Sequence, residues 1–211
     1  MIVRFSLVFL AYFLVINVVL ADETEEIISV ASYIGSSELN ASPVDIISSQ
    51  EFKNLRVSTV AELSKYLSVA SGSHFQTNAL DGVDQGMSSI TLRGLDHAST
   101  LVLINKKRQT HSGTPSNEGE GYIDVNIIPE IALERIEILK DGATSLYGSD
   151  AVAGVINFKT YHLFDGLRVS ASSQKTSNYH QTDNSLGVLY GGNAFNGNLV
   201  IALSALNRSP L

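Results

Sequence analysis

The hydrophobic pattern is strongest near the N-terminus, where an almost unbroken apolar run of 16 residues extends over residues 5–20. Arg4 is the only charge before the run, and the small residue Ala21 at its end suits a cleavage site. The run is shorter than the roughly 20 residues that a membrane-spanning helix needs. The pattern therefore predicts a signal peptide over residues 1–21, with an uncleaved membrane anchor as the alternative.

Short β-prone segments follow this run. Residues 27–31 (IISVA) form one after the acidic sequence DETEE, and VDIIS forms a second after Pro43, because proline is tolerated where a strand begins. A helix is predicted next, since Thr59 and Glu62 have the spacing of a capping box. Its apolar stripe consists of Val60, Leu63, Tyr66 and Leu67.

Four strands are predicted between residues 89 and 160. Residues 89–94 and 135–139 alternate apolar and polar positions, whereas residues 101–104 are continuously apolar and suit a strand that is covered on both faces. Residues 155–159 complete the set, and short helical turns are predicted after Pro129 and over residues 143–147. Residues 105–121 are predicted to form a long polar loop, a kind of segment that is usually functional or mobile.

The pattern changes beyond residue 165. Residues 167–172 and 199–206 alternate apolar and polar positions, and turns are predicted at residues 191–193 and 196–197. Weak alternation over about ten residues is typical of transmembrane barrel strands. A β-sandwich has the same pattern, so periodicity alone leaves both architectures open.

Composition narrows the function classes. The 211 residues include no Cys and carry a net charge of −7, so disulfides, thiolate metal sites and cysteine nucleophiles are excluded. The acidic balance argues against nucleic-acid binding, which needs a dense Lys/Arg surface. An exported, acidic chain without Cys fits a bacterial cell envelope better than a secreted eukaryotic domain.

No catalytic or metal-binding motif is found. The histidines at positions 74, 97, 111, 162 and 180 have no helical i, i+4 pairing, and residues 81–84 lack the spacing of a calcium loop. Nucleophile-elbow, phosphate-loop and dinucleotide fingerprints are likewise missing from the sequence. We expect no enzyme, no metal site and no cofactor; an exported β-rich enzyme remains a third hypothesis.

Three stretches resemble the plug domain of TonB-dependent outer-membrane receptors. The longest is IALERIEILKDGATSLYGSDAVAGVINFKT at residues 131–160, and the others are SITLRG at residues 89–94 and LVLINKKR at residues 101–108. Lys106 departs from the family pattern, which usually has glycine in a tight turn there. One segment near the N-terminus also resembles the TonB box of this family. It consists of Glu26, Ile27, Ile28, Ser29, Val30 and Ala31.

The resemblance implies a fold and a domain order. We expect an α+β plug domain, a small mixed sheet with short helices, over residues 42–160. A TonB box and flexible tether over residues 22–41 would precede it. A few antiparallel β-strands of an incomplete transmembrane β-barrel would follow over residues 161–211.

The resemblance also implies partners and contact residues. The TonB C-terminal domain, energised by ExbB-ExbD, would bind the TonB box by strand addition. Plug–barrel contacts are expected from Arg93, Glu134, Arg135 and Glu137. A ligand-facing loop is expected to include Lys107, Arg108 and His111. Structural roles at turns are expected for Gly94, Gly142, Tyr147, Gly148 and Gly154.

The implied function is that of the N-terminal part of an outer-membrane receptor for energy-coupled uptake of a scarce nutrient. The ligand classes implied are iron-siderophores, cobalamin and carbohydrates. The 51 residues after Thr160 allow about three or four spanning strands, so we expect the chain not to transport by itself. The alternative hypothesis is a stand-alone periplasmic plug-like binding or interaction module.

Overall fold

The computed structural model describes residues 44–55, 57, 59–73, 86–113, 115–116, 119–175, 182–194 and 197–209. The predicted signal peptide, TonB box and tether lie outside these residues, as do His74, His180 and the segment 81–84. Within the described ranges, no helix has the length and apolar character needed to cross a membrane.

A mixed sheet of five strands forms the first part of the fold. Its strands are Val44–Ser48 (β1), Thr100–Ile104 (β2), Lys107–Arg108 (β3), Leu133–Leu139 (β4) and Gly154–Thr160 (β5). They lie in the order β1-β4-β5-β2-β3, in which β2 and β5 are parallel and the other neighbours are antiparallel. The α-helices are Ser49–Asn54 (α1) and Thr144–Tyr147 (α2). Short 3₁₀ helices lie at Ala61–Tyr66, His97–Ser99, Val125–Ile127, Glu130–Ala132 and Ser149–Ala151.

Both faces of this sheet are covered, which explains the continuous apolar runs in its central strands. Ile136, Ile156 and Phe158 point into the larger core, together with Phe52 of α1. The opposite face forms a smaller core, which includes Leu101, Leu103, Leu139, Ala143, Ala151 and Val155.

A second, antiparallel sheet follows, with strands Gly166–Lys175 (β6), Thr182–Ala194 (β7) and Gly197–Arg208 (β8) in sequential order. One face is apolar and exposed; its side chains include Leu167, Val169, Leu186, Tyr190, Ile201 and Leu203. The other face lies against the first part of the fold. There Leu189 is fully buried, and Gly187 lies so close to Ile131 that an added Cβ would be only 3.2 Å from the Ile131 Cβ.

Most of the predicted elements are confirmed. The structure has strands at the positions expected from VDIIS and from residues 101–104, 135–139 and 155–159. The 3₁₀ helix after Pro129 and the short α2 are also confirmed. The pattern missed α1, although Ser48 and Glu51 have cap spacing and the Glu51 N–H donates to the Ser48 Oγ at 3.2 Å.

The strand predicted over residues 89–94 is wrong. This segment is buried from Ser89 to Leu92, but it forms no continuous strand: it has bridge residues only at Ser89 and Leu92, and within the described ranges Leu92 pairs with Ala70. Two of its N–H groups donate to side chains: the Thr91 N–H to the Ser73 Oγ at 3.1 Å and the Leu92 N–H to the Thr100 Oγ1 at 3.0 Å. Buried backbone groups can be satisfied without a ladder, so alternation did not identify a strand.

Three further expectations need correction. The turn predicted at residues 191–193 is wrong because these residues continue β7, where Gly191 allows the backbone of Phe164 to approach closely. The long loop over residues 105–121 is interrupted at its start by β3. Tyr66 is 57% exposed rather than part of a packing stripe, because the helix ends there and Leu67 is extended.

Candidate functional site

A buried polar network crosses the middle of the five-stranded sheet. The Glu137 carboxylate is fully buried; it accepts from the Arg135 Nε at 2.8 Å and from the Asn157 Nδ2 at 2.9 Å. The Asn157 Oδ1 accepts from the Lys106 N–H at 2.8 Å. A buried carboxylate is tolerated when it has such partners. The network therefore ties β4 and β5 to the turn after β2.

The other three predicted plug–barrel contact residues also have charged neighbours in the described part of the chain. Glu134 lies 3.2 Å from the Arg135 Nη1 and 3.8 Å from the Lys159 Nζ. The Arg93 Nη2 lies 2.8 Å from the Asp141 Oδ1 on the surface. All these neighbours belong to the first part of the fold, so contact with a barrel wall stays a prediction.

The turn between β2 and β3 contains the residue that departs from the expected pattern. Asn105 has φ 51° and Lys106 has φ 65°, both in the left-handed region. Two positive φ values in a two-residue hairpin loop are typical of a type I′ turn, which favours Asn-Gly. Lys106 therefore keeps the conformation for which glycine is the usual residue.

Arg108 of the predicted ligand-facing loop is held by two neighbours. Its Nη1 lies 2.5 Å from the Asp150 Oδ2, and its Nη2 donates to the backbone carbonyl of Tyr147 at the end of α2. The Arg108 hydrogen bond, followed by one from Ser149, lowers the pKa of Asp150 below its ordinary value. Lys107 beside it is exposed on β3.

His111, the third residue of that group, lines a small cleft of about 30 Å³ at the start of β2. The Ser89 Oγ lies 2.9 Å from the His97 Nδ1, and the rings of His97 and Tyr122 meet edge to face at 6.2 Å. A Cβ on Gly121 would lie 2.9 Å from the His111 Cγ, so the imidazole lies directly on that backbone. No group of three metal-ligating side chains is found in the described ranges.

Of the predicted turn glycines, Gly142 and Gly154 lie at close approaches of the backbone, and Gly94, Gly148 and Gly154 have positive φ. Gly154, with φ 143°, begins β5, and a side chain there would collide with the Leu139 carbonyl and lie 2.9 Å from the Leu92 Cδ1. Gly148 ends α2 with φ 80°, and Tyr147 packs against the smaller core. Gly94 has φ 66°, whereas a Cβ on Gly142 would lie 2.9 Å from the Val152 carbonyl oxygen.

Charged residues that the sequence analysis did not identify connect the second sheet to the 3₁₀ helix Ala61–Tyr66 of the first part of the fold. Arg208 of β8 holds Asp183 of β7 through two nitrogens, with the Nη2 lying 2.6 Å from the Asp183 Oδ2. The same Nη2 lies 3.8 Å from the carboxylate of Glu62 in the first part of the fold. The Lys65 Nζ lies 3.7 Å from that carboxylate. The alternating pattern of β7 and β8 was the available signal, because it puts Asp183 and Arg208 on the polar face.

Glu130 lies in the 3₁₀ helix that contacts β7 and β8. Burial, and secondly the charge of Glu62, raises the pKa of Glu130 above its ordinary value. The carboxylate is therefore held where its charged form is disfavoured.

Comparison with known families assigns the first part of the fold. Residues 37–155 match the family model described as the TonB-dependent Receptor Plug Domain, which is more than half of the chain. The chain belongs to this family. The five-stranded sheet with its short helices is therefore the plug.

Named relatives come from several bacteria. An iron-regulated outer membrane virulence protein of Vibrio cholerae is 42% identical over 74 residues, which are 35% of this chain and 11% of that protein. The vitamin B12 transporter BtuB of Vibrio vulnificus is 31% identical over 142 residues, covering 61% of this chain and 22% of the transporter. The ferric enterobactin receptor PirA of Pseudomonas aeruginosa is 30% identical over 138 residues, covering 63% of this chain and 18% of the receptor. The chain thus spans between about a tenth and a fifth of the length of these relatives.

Solved structures give the same fold. The siderophore receptor PirA of Acinetobacter baumannii is 25% identical with a TM-score of 0.54, covering 78% of this chain and 24% of the receptor. The unliganded ferric citrate transporter FecA is 18% identical with a TM-score of 0.60, covering 80% of this chain and 26% of the transporter. The predicted fold class, a plug followed by a few antiparallel strands of an incomplete barrel, is confirmed.

These relatives also bear on localisation and class. Because the chain belongs to the TonB-dependent receptor plug family and one relative is named as an outer membrane protein, the predicted localisation at the cell outer membrane is confirmed. Their names are those of transporters and receptors rather than of enzymes.

Proposed function

We propose that this chain is the N-terminal part of a TonB-dependent receptor for energy-coupled uptake of a scarce nutrient, and that its plug gates the barrel. The proposal assigns residues 1–21 to a signal peptide, 22–41 to the TonB box and tether, 42–160 to the plug and 161–211 to the first barrel strands.

The observation that carries this proposal is the asymmetry of the sheet formed by β6, β7 and β8. Its apolar face is exposed, with Leu203 65% exposed, whereas its polar face meets the plug through Glu62 and Arg208. Outward apolar and inward polar side chains are typical of a transmembrane barrel wall. A plug that lies on the polar face is therefore on the lumenal side of that wall.

The proposed ligand is a compact nutrient chelate. Relatives are named for vitamin B12 and ferric enterobactin, which supports the cobalamin and iron-siderophore classes over the carbohydrate class. We assign ligand contact to the segment with Lys107, Arg108 and His111. Lys107 offers an exposed ammonium group there, while Arg108 keeps its salt bridge to Asp150.

The proposed partner is the TonB C-terminal domain, with energy supplied by ExbB-ExbD. The segment Glu26 to Ala31 is β-prone and lies between the predicted signal peptide and the plug, which suits strand addition to a partner sheet. Main-chain hydrogen bonds would supply the affinity. The proposed contacts of Arg93, Glu134, Arg135 and Glu137 with the barrel belong to the same proposal.

A pull-down of the chain with the TonB C-terminal domain tests the partner. Ile28→Pro removes a backbone N–H from the proposed added strand, so binding should be lost. Ser37→Pro makes the same backbone change outside the TonB box and should bind like the unchanged chain. Equal binding by both variants would contradict strand addition, and no binding by the unchanged chain would contradict the TonB partnership.

A further inference from the structure

Tyr161 lies at the junction between the plug and the barrel strands, directly after β5. Its N–H donates to the Ala132 carbonyl at 2.9 Å. Its hydroxyl lies 2.9 Å from the Ser49 Oγ and accepts from the Arg168 Nη1 at 3.1 Å. One phenol thus connects the N-terminal part of the plug with the first barrel strand.

Arg168 strengthens this junction from the barrel side. Its guanidinium carbon lies 5.1 Å from the centre of the Tyr161 ring and 5.0 Å from that of Phe164. These distances are within the range of cation–π attraction. Because Arg168 is on the polar face of β6, the barrel strand holds both aromatic rings of the connecting segment.

On the plug side of the junction, Ser49 lies between the edge strand β1 and the helix α1. It is the first residue of α1 and directly follows β1, which is an edge strand that pairs only with β4 in the described sheet. Among the β1 residues only Ile47 is buried, whereas Phe52, three residues after Ser49, is 6% exposed in the larger core. Ser49 therefore separates a weakly buried strand from a residue that anchors the core.

We propose that the connection from Ser49 through Tyr161 to Arg168 is a mechanical stop, which lets β1 detach under load but holds the chain before Phe52 leaves the core. This inference rests on the proposed function, in which a partner pulls on the N-terminal segment. We refer to these three residues as the Tyr161 stop.

The strand register indicates how the load would act. Val44 pairs with Leu139 at the end where the N-terminal segment enters, and Ser48 pairs with Arg135 at the other end. A load on Val44 strains the pairs of an edge strand in sequence, from Val44 to Ser48. It then reaches Ser49, whose hydroxyl passes it to Tyr161 and so to the barrel strand.

A constant-load experiment on the full chain tests the stop. The sequence has no Cys, so Ser42→Cys and Lys175→Cys give two unique attachment points for an optical trap. Release of the five residues of β1 should lengthen the chain by about 15–20 Å, followed by a pause. Tyr161→Phe keeps the ring but loses both hydroxyl contacts, so the pause should shorten by about tenfold or more.

Two matched variants complete the test. Ser49→Ala removes one contact and should shorten the pause by about fivefold. Tyr190→Phe makes the same chemical change on the exposed face of β7 and should leave the pause unchanged. The stop is disproved if no pause follows the first step, or if the pause is equal in the Tyr161→Phe variant and the unchanged chain.

Folding of each variant is checked by circular dichroism. If Tyr161→Phe does not fold, Ser49→Ala decides the question: a shortened pause supports the stop and an unchanged one overturns it. The trap supplies the load directly, so its result does not depend on TonB binding. Failure of the pull-down would therefore contradict the proposed partner, and failure of the pause would contradict the stop.

Discussion

The carboxamide of Asn157 donates to the carboxylate of Glu137 across 2.9 Å, and both side chains are fully buried. Arg135 donates to the other carboxylate oxygen at 2.8 Å. The plug core therefore contains a charge whose cost of burial is offset by two donors from neighbouring positions of the sheet.

Asn157→Asp should destabilise the plug strongly at neutral pH. The change removes the Nδ2 donor and puts a second carboxylate beside Glu137, which costs about 3 kcal/mol or more in the free energy of unfolding. Protonation of one of the two carboxylates removes the repulsion between them, so the loss should shrink as the pH falls. Urea unfolding followed by circular dichroism measures both effects.

The double variant Asn157→Asp/Glu137→Gln is the control for this pair. It restores one donor and one acceptor with the roles exchanged, and the carboxylate at position 157 can still accept from the Lys106 N–H. We expect it to recover part of the lost stability. A double variant as unstable as Asn157→Asp would show that the donor–acceptor match is not the cause.

Lys106→Gly should stabilise the protein. Lys106 has φ 65°, where a Cβ is unfavourable and glycine is not. We expect a gain of about 0.5–1 kcal/mol in urea unfolding. Lys107→Gly, at the exposed neighbouring position in β3, should instead lose stability, and a gain in both variants would contradict the turn argument.

Asp150→Asn should weaken the protein slightly and change its acid response. The lowered pKa of Asp150 means that its contribution is present above the pKa of the unfolded chain and is lost as the pH falls through the folded pKa. Since Asp150 and Arg108 are about half exposed, the loss at pH 7 should be below about 1 kcal/mol. Thermal unfolding between pH 2 and about 7 measures it, and the exposed Asp165→Asn should show no such difference.

Glu130→Gln should stabilise the protein at neutral pH. The raised pKa of Glu130 means that its stability contribution is present below the unfolded pKa and is lost as the pH rises through the folded pKa. The variant should remove this dependence and raise the midpoint of thermal unfolding at pH 7. Glu62 and its two cationic neighbours, Lys65 at 3.7 Å and Arg208 at 3.8 Å, are left unchanged in this variant. Glu51→Gln on the exposed part of α1 serves as the control.

Val169→Arg should impair insertion of the barrel strands into lipid. Val169 is 58% exposed on the apolar face of β6, and a charge on the lipid face of a barrel costs about 2–4 kcal/mol near the bilayer midplane. Ser172→Arg places the same charge on the polar face of the same strand and should be tolerated. Flotation with lipid vesicles compares the two, and equal flotation would contradict the assignment of the lipid face.

Local sequence was sufficient for the central strands of the plug. The apolar run of residues 101–104 predicts a strand covered on both faces, and β2 is such a strand. The segment of residues 131–160 resembles one continuous part of the plug family, so β4, α2 and β5 follow from it in order. Each of these depends on periodicity or on a motif within a few tens of residues.

The position of the charged residues could not be predicted in this way. Glu137 occupies an alternating strand whose polar positions suggest a solvated face, yet the neighbouring β5 buries it against Asn157. Residues 89–92 alternate like a strand, but the N–H groups of Leu92 and Thr91 donate to Thr100 and Ser73, which lie outside the segment. Both outcomes depend on partners that periodicity does not identify.

By itself the sequence determined the family, the central strands and the alternating faces of β6 and β8, because each arises from side chains that are neighbours in the chain or follow a fixed period. Only the tertiary structure decided that Arg208 meets Glu62 and that Tyr161 meets Ser49, over 112 positions in the latter pair. Such contacts depend on strand order and on how the two sheets lie against each other. Local periodicity carries no information about either.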